Sequence, residues 1–508
     1  MGVSRPSPRR RWDTAIPPVL RPLVRAYLLG YASAVGPRLL TLLLQLVARR
    51  RHASNRSKAS KTNTAREAGL GEGGQEEPFP AALHRILRGG LDWRRFPTFC
   101  AVLVGGTTLL EPPLRAVLDR STRNISDIAR LRLARWLASF IAAWLSLCLL
   151  QSKHTPSFTD VVDDVAPGSV PPSNDGTPSP RTKTVHYAGR TLDLTLFAVT
   201  RAVDVIVGAL WARRRARRTA AGSWTALESA VSRLTDPALF ALSSGLVMWT
   251  WIYHPARLPR AYNKWIGSAA AVDGRLIEAL RRCRQGTLLY GRDTGQAGLL
   301  GAMCADHGMP PAWGDPATAI PFPCELVHMG RGGGVCEAHA ASRFVRSFRW
   351  AMATYLPLSL LLAARRRPSV ASLRRAITSA SRSSAFLAAF IALFYYGVCL
   401  ARTRVGPRLL GTDVAARQRL DSGGCVGAGC ALCGWSVLLE APGRRKDMAL
   451  FVAPRALATV LPRRYELEKQ WRERLAFAAA AGVVLTCVRE DRGRVRGVLG
   501  GVLGVVFA

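Results

Sequence analysis

Acidic residues are scarce in this chain. Its 508 residues hold 33 Asp and Glu against 71 Lys and Arg, a formal net charge of +38. Residues 1–66 carry a single carboxylate, Asp13. Lysine is rare as well, so the charge is mostly arginine's. Also missing are a Walker loop, a nucleophile elbow, a metalloprotease helix and an EF-hand loop. Without them no motif argues for an enzyme, and a non-enzymatic protein is expected. No early apolar core followed by a small-residue cleavage site marks a secretory signal peptide. The eleven cysteines follow no even framework, so a disulfide scaffold is not expected.

Apolar residues make up 49% of the chain and mean hydropathy is +0.10, although 20% of residues are charged. Apolar and charged residues must then lie in separate blocks, as in alternating membrane spans and loops. Arg49 to Arg51, Arg213 to Arg215 with Arg217 and Arg218, and Arg365 to Arg367 each directly follow an apolar run. Flanks of retained spans look like this. A nucleic-acid surface would interleave basic residues with aromatics. The expected partners are the lipid bilayer and anionic lipid headgroups, with other membrane-protein subunits as further candidates and nucleic acid not among them. The basic N-terminus has two readings, a mitochondrial presequence or a tail held near anionic lipid.

The apolar segments fall into two sets. The first comprises 23–48, 96–118, 133–150, 192–211 and 239–253, and the second 351–364, 383–401, 423–439, 448–461 and 475–488. Most are at or below the roughly 20 residues that cross a bilayer. Two short likenesses relate the sets. Residues 193–202 (DLTLFAVTRA) resemble 447–456 (DMALFVAPRA), and Phe240, Gly245 and Arg257 match Phe477, Gly482 and Arg494 in spacing. The expected fold is all-α, a polytopic membrane bundle of two related units of four to five helices each. Loop charge does not choose between parallel and inverted repeats. The expected divisions are a basic tail at 1–22, a first unit at 23–266 with disordered loops at 52–79 and 151–187, and a linker at 267–345. A second unit at 346–490 and an apolar Gly-rich tail at 491–508 complete the chain.

Four clusters carry potential chemistry. Cys324, His328, Cys336 and His339 lie in a Pro/Gly-rich loop that Gly330 to Gly334 should leave floppy. They offer four donors of the kind that bind zinc tetrahedrally, or are incidental residues of a reduced loop. Cys425, Cys430 and Cys433 have partial redox spacing, but their glycine neighbours favour tight helix packing. Arg201 and Arg455 sit at equivalent places in the repeat, with Asp193 and Asp447 two turns earlier. Within a membrane such arginines line a polar or headgroup route, form structural pairs, or snorkel. Glu111 and Glu440 are their candidate partners. Finally, the prolines after Tyr253 should stop a helix, leaving Tyr262 and Trp265 as interfacial anchors.

Residues 323–462 resemble the transmembrane protein 135 family. The likeness rests on PCELVH and VCEAH, on Tyr355-x-Pro357-Leu358, on SSAFLAAFIALFYYGVCLAR, and on GAGCALCGWSVLLEAPGRRKDMALFVAPRALATVL. In that family the block is the N-terminal domain, whereas here it lies in the C-terminal half. The resemblance implies an integral membrane protein of peroxisomes or mitochondria, linked to organelle dynamics and lipid homeostasis, and it carries over no catalytic residue. Two other functions compete with this one. One is a channel, carrier or translocase-like subunit with a route lined by Arg201 and Arg455. The other is a zinc-binding membrane enzyme.

Overall fold

The computed structural model describes residues 16–59, 79–121, 125–153, 155–163, 182–331, 333–364, 369–491 and 493–507. Most of the expected N-terminal tail, the centres of both expected disordered loops and the triple arginine at 365–367 lie outside these residues.

The chain is predominantly helical. In chain order the helices are α1 (Arg21–Ala59), α2 (Phe79–Gly90), α3 (Phe96–Ser121), α4 (Asp127–Gln151), α5 (Leu192–Ala220) and α6 (Ala226–Tyr253). Next come α7 (Arg260–Ala270), α8 (Gly274–Gln285), α9 (Ala297–Asp306), α10 (Cys324–Val327), α11 (Cys336–Ala364) and α12 (Val370–Leu400). The last six are α13 (Gly406–Leu410), α14 (Val414–Arg419), α15 (Cys425–Cys433), α16 (Pro442–Val460), α17 (Gln470–Glu490) and α18 (Gly497–Val506). Among the described residues, five stretches are long and apolar enough to cross a membrane: α3, α4, α5, Val370–Leu410 and Val414–Leu439. The helices outrun the apolar segments because arginine and alanine, both good helix formers, continue them. Proline acts as expected after Tyr253, where a single turn at Pro255–Arg257 separates α6 from α7.

The chain forms two compact units, Met1–Ala209 with Arg464–Ala508, and Leu210–Arg463. These boundaries do not follow the two sets read from sequence. Helix α17, from the second set, belongs to the first unit, and α6, from the first set, belongs to the second.

In the first unit α4 packs between α3 and α17. Phe99 meets Phe477 at 5.8 Å between ring centres, above a floor of Ala143, Leu147, Ala202 and Val484. The expected loop at 151–187 holds two strands instead, β1 (Thr159–Asp163) and β2 (Thr182–Ala188), with β3 (Tyr465–Glu466) added to β2. β1 and β2 are antiparallel, from Thr159 opposite His186 to Asp163 opposite Thr182. Their Thr- and Val-rich sequences suit a pleated ribbon.

The second unit is built on glycine contacts. A Cβ at Gly397 of α12 would lie 2.9 Å from the Gly429 Cα of α15. One at Gly434 would lie 2.4 Å from the Ala241 Cα of α6. The expected linker at 267–345 is folded: Leu276, Leu288, Leu300, Met303 and Leu326 form a core of their own. It holds enough apolar surface to offset the cost of ordering.

Arginine side chains repeatedly bind the carbonyls at the ends of other helices. Arg190 binds Leu150 O of α4, Arg343 binds Ala270 and Ala271 O at the end of α7 (3.1 and 3.0 Å), and Arg257 binds Thr459 O of α16 (3.3 Å). Arg281 donates to Ile252 and Trp251 O of α6, and Arg25 to Val505 O of α18 (3.1 Å). The last carbonyls of a helix have no partner within it and carry the negative end of its dipole, so a guanidinium satisfies both.

Two predictions follow from this packing. Gly434→Ala forces α6 outward and should lower stability by about 1–3 kcal/mol. Gly267→Ala, in α7 with nothing within 4 Å, should raise it by up to about 1 kcal/mol; thermal unfolding of detergent-purified protein compares them. Arg343→Met should cost about 1.5–3 kcal/mol by removing a charged cap, whereas the exposed Arg292→Met should change stability by less than about 0.5 kcal/mol. Denaturant unfolding of the two variants checks the second prediction.

Candidate functional site

Cys324 opens the one-turn helix α10 and His328 follows it by four residues, so both side chains leave from the same face. The His328 amide donates to Cys324 O at 2.7 Å. Met329 and Gly330 then adopt left-handed backbone (φ 56° and 69°), which turns the chain back toward α11, whose first residue is Cys336. The donor atoms of Cys324, His328 and Cys336 lie within 4.8 Å of one another. His328 Nδ1 donates to Gly333 O at 2.8 Å, which leaves Nε2 as the acceptor nitrogen.

A residue that sequence reasoning missed faces that nitrogen. Cys399, in the last turn of α12, places its Sγ 3.3 Å from His328 Nε2. Cys336 is an electrostatic neighbour of both Cys324 and Cys399. Within an apolar run Cys399 reads as a small hydrophobe. The one signal for it is the change from apolar to basic sequence at Arg402 just beyond.

His339 is not brought into the group. Its ring stacks on His328 (4.2 Å between centres, 8° between planes), and its Nε2 accepts from Arg343 Nε at 3.4 Å. Burial, with the nearby His328 and Arg343, holds the His339 imidazole down at about 4. Burial also lowers His328, so both rings are neutral near pH 7. The Cys324 thiol is pushed up to about 11, chiefly by burial and then by Cys336.

Beyond Cys399, α12 passes into a π-helical turn, Ala401–Val405, which aims Arg402 inward. Arg402 grips Asp421 with two hydrogen bonds of 2.7 and 3.0 Å and also donates to Phe322 O at 3.1 Å. Tyr290 donates its hydroxyl to Asp421 at 2.5 Å. Burial first, and the Asp421 carboxylate second, raise that hydroxyl well above its usual range, so it stays a donor. Arg402 and Asp421 were not singled out in the sequence. They edge a cavity of about 60 Å³ lined by Trp251, Leu276, Phe394 and Val398. That volume is too small for a lipid chain.

The other sequence candidates lie elsewhere in the fold. Cys425, Cys430 and Cys433 are free and buried in α15, and a Cβ at Gly245 would lie 3.0 Å from Cys430 O. That is a packing seam, as the glycines suggested. Arg201 is buried in the first unit, lies over Phe197 and reaches Arg496 O at 3.5 Å. Arg455, in the second unit, is half-buried on Phe451 and donates to Phe451 O at 2.7 Å. Asp193 is exposed and Asp447 half-buried. Glu111 pairs instead with Arg135 (3.0 Å) and Arg489. Glu440 accepts from Ser383 and pairs with Arg444 (3.7 Å). No protein family, curated protein or solved structure matches this chain significantly.

Removing one partner of the Arg402–Asp421 pair strands the other charge away from water. Arg402→Met or Asp421→Leu alone should destabilise the protein by roughly 3–5 kcal/mol. The double variant should lose less than either single change, and a thermal-unfolding double-mutant cycle reads the difference.

Proposed function

We propose that this chain is a non-enzymatic, multi-pass organelle membrane protein that supports lipid homeostasis and organelle dynamics in peroxisomes or mitochondria. The observation that carries the membrane part is the five helices long and apolar enough to cross a bilayer. The organelle part rests on the resemblance of residues 323–462 to the transmembrane protein 135 family. Its partners on this reading are the bilayer, anionic headgroups and other membrane-protein subunits.

The use made of the buried charges supports a scaffold over a catalyst. Asp421 is held by Arg402 and Tyr290. Glu473 accepts from Thr191, Thr195 and Tyr465, and Glu228 pairs with Arg214 and Arg218. These acids stabilise helix contacts. Arg201 and Arg455 both bind backbone carbonyls, which argues for anchoring rather than for lining a transport route.

Fractionation of cells expressing the tagged full chain tests the reading. The protein should enter peroxisomal or mitochondrial membranes and resist alkaline extraction, and its deletion should change organelle number and neutral-lipid stores. Residence solely in the plasma membrane would overturn it. So would solute flux in proteoliposomes that falls when Arg201 and Arg455 are both changed to Leu.

A further inference from the structure

We infer that Cys324, His328, Cys336 and Cys399 form a closed, structural zinc site that fastens the 324–336 turn to the end of a membrane helix. This goes beyond the membrane reading and does not depend on the organelle. The donor set is three sulfurs and one imidazole nitrogen, which suits tetrahedral zinc. Donors around such an ion, three sulfurs and one nitrogen, stand about 3.5–3.8 Å apart, given Zn–S near 2.3 Å and Zn–N near 2.0 Å. The 3.3 Å between His328 Nε2 and Cys399 Sγ is close to that scale; Cys324, His328 and Cys336 lie within 4.8 Å of one another, and Cys399, outside that trio, joins it through His328.

The surroundings are those of a ligand shell. His328 and Cys399 are 0% and 4% exposed and Cys336 is 8% exposed, while Cys324 is half-buried, so water reaches the cluster only from the Cys324 side. A metal-bound histidine ordinarily donates its second N–H to a carbonyl or carboxylate. His328 does this through Gly333 O, which fixes the tautomer with its lone pair toward the sulfurs. The stacked His339 ring covers the imidazole face, with its own nitrogen turned to Arg343.

Binding replaces the three S–H protons with bonds to Zn²⁺ and releases those protons to solvent. The resulting centre carries one negative charge, which the nearby Arg402 and Arg343 tolerate. Four protein ligands leave no open position for water or substrate, so the site is structural and the zinc-enzyme alternative loses its mechanism. Two further ties join the same elements: Arg404, on the π-turn after α12, pairs with Glu337 beside Cys336, and Arg402 reaches Phe322 O just before α10. Val327 and Val398, neighbours of ligands, both line the small cavity, so the metal also sets its wall.

The test is elemental analysis of the reduced, detergent-purified full chain, with X-ray absorption at the zinc edge. Stoichiometric zinc is expected, with a first shell of three sulfurs and one nitrogen. Cys399→Ala and His328→Ala should drop zinc to background, while His339→Ala should keep it. If Cys399→Ala does not accumulate, the wild-type absorption spectrum still decides. A shell of two sulfurs and two nitrogens, an iron–sulfur centre, or metal-free protein from zinc-replete cells would each overturn the proposal.

Discussion

Every helix that ends away from water leaves carbonyl groups without partners, and in an apolar setting each one costs free energy. This chain meets that constraint with arginine. The guanidinium presents several donors in a rigid plane and stays charged in any surroundings. It can therefore lie over an aromatic ring and still reach two carbonyls, as Arg343 does above Tyr395 while capping α7. A lysine ammonium offers a more strongly hydrated point charge and no plane to stack. The scarcity of lysine thus has a physical reading besides any compositional bias. The arrangement also explains why few acids are required, since many of these arginines bind carbonyls and not carboxylates.

The end of α12 shows the constraint acting at one place. A regular helix through 401–405 would turn the residues of that stretch differently relative to α12. The π-helical turn at 401–405 inserts one extra residue per turn, and its Thr403 hydroxyl returns to Cys399 O at 2.8 Å. The turn aims a cation at Asp421, while the turn before it presents a thiol to His328. Asp421 itself lies in a second π-helical turn, Leu420–Gly424, where Gly423 leaves helical geometry at φ 157°. Two interrupted helices therefore meet through one ion pair. The same pair fixes Tyr290 and the carbonyl of Phe322, and so positions the segment that leads to Cys324.

Helical character and the apolar blocks were legible because hydropathy is a property of each segment alone. The helix stop after Tyr253 was legible because proline acts locally. The compact units were not, because a short likeness between two segments does not say where each helix packs. Phe240 and Phe477 are both buried and Gly245 and Gly482 both sit at close approaches, so the likeness marks similar packing roles in different units. Cys324, His328 and Cys336 were legible as a local pattern of donors. Cys399 was not, since it lies 63 residues beyond Cys336 in an apolar run and only the turn of the chain brings it near. The ribbon at 159–188 was hidden by the Pro/Ser-rich stretch between its strands, which dominates the composition of that region.

The arginine caps also bear on the charge bias of the loops. The positive-inside tendency counts basic residues near span ends as reporters of the retained side. An arginine that spans to the carbonyls of another helix is held by the fold and reports on packing. In the string after α5's apolar run, Arg214 and Arg218 pair with Glu228, and Arg218 also donates to Ser223 O at 2.8 Å. Arg215 lies over Trp224. Much of that string is thus occupied within its own unit. Counting it at full weight therefore overstates that string as a signal of which side is retained. Charge that remains on the surface, rather than charge in the sequence, is the quantity that anionic headgroups would sense.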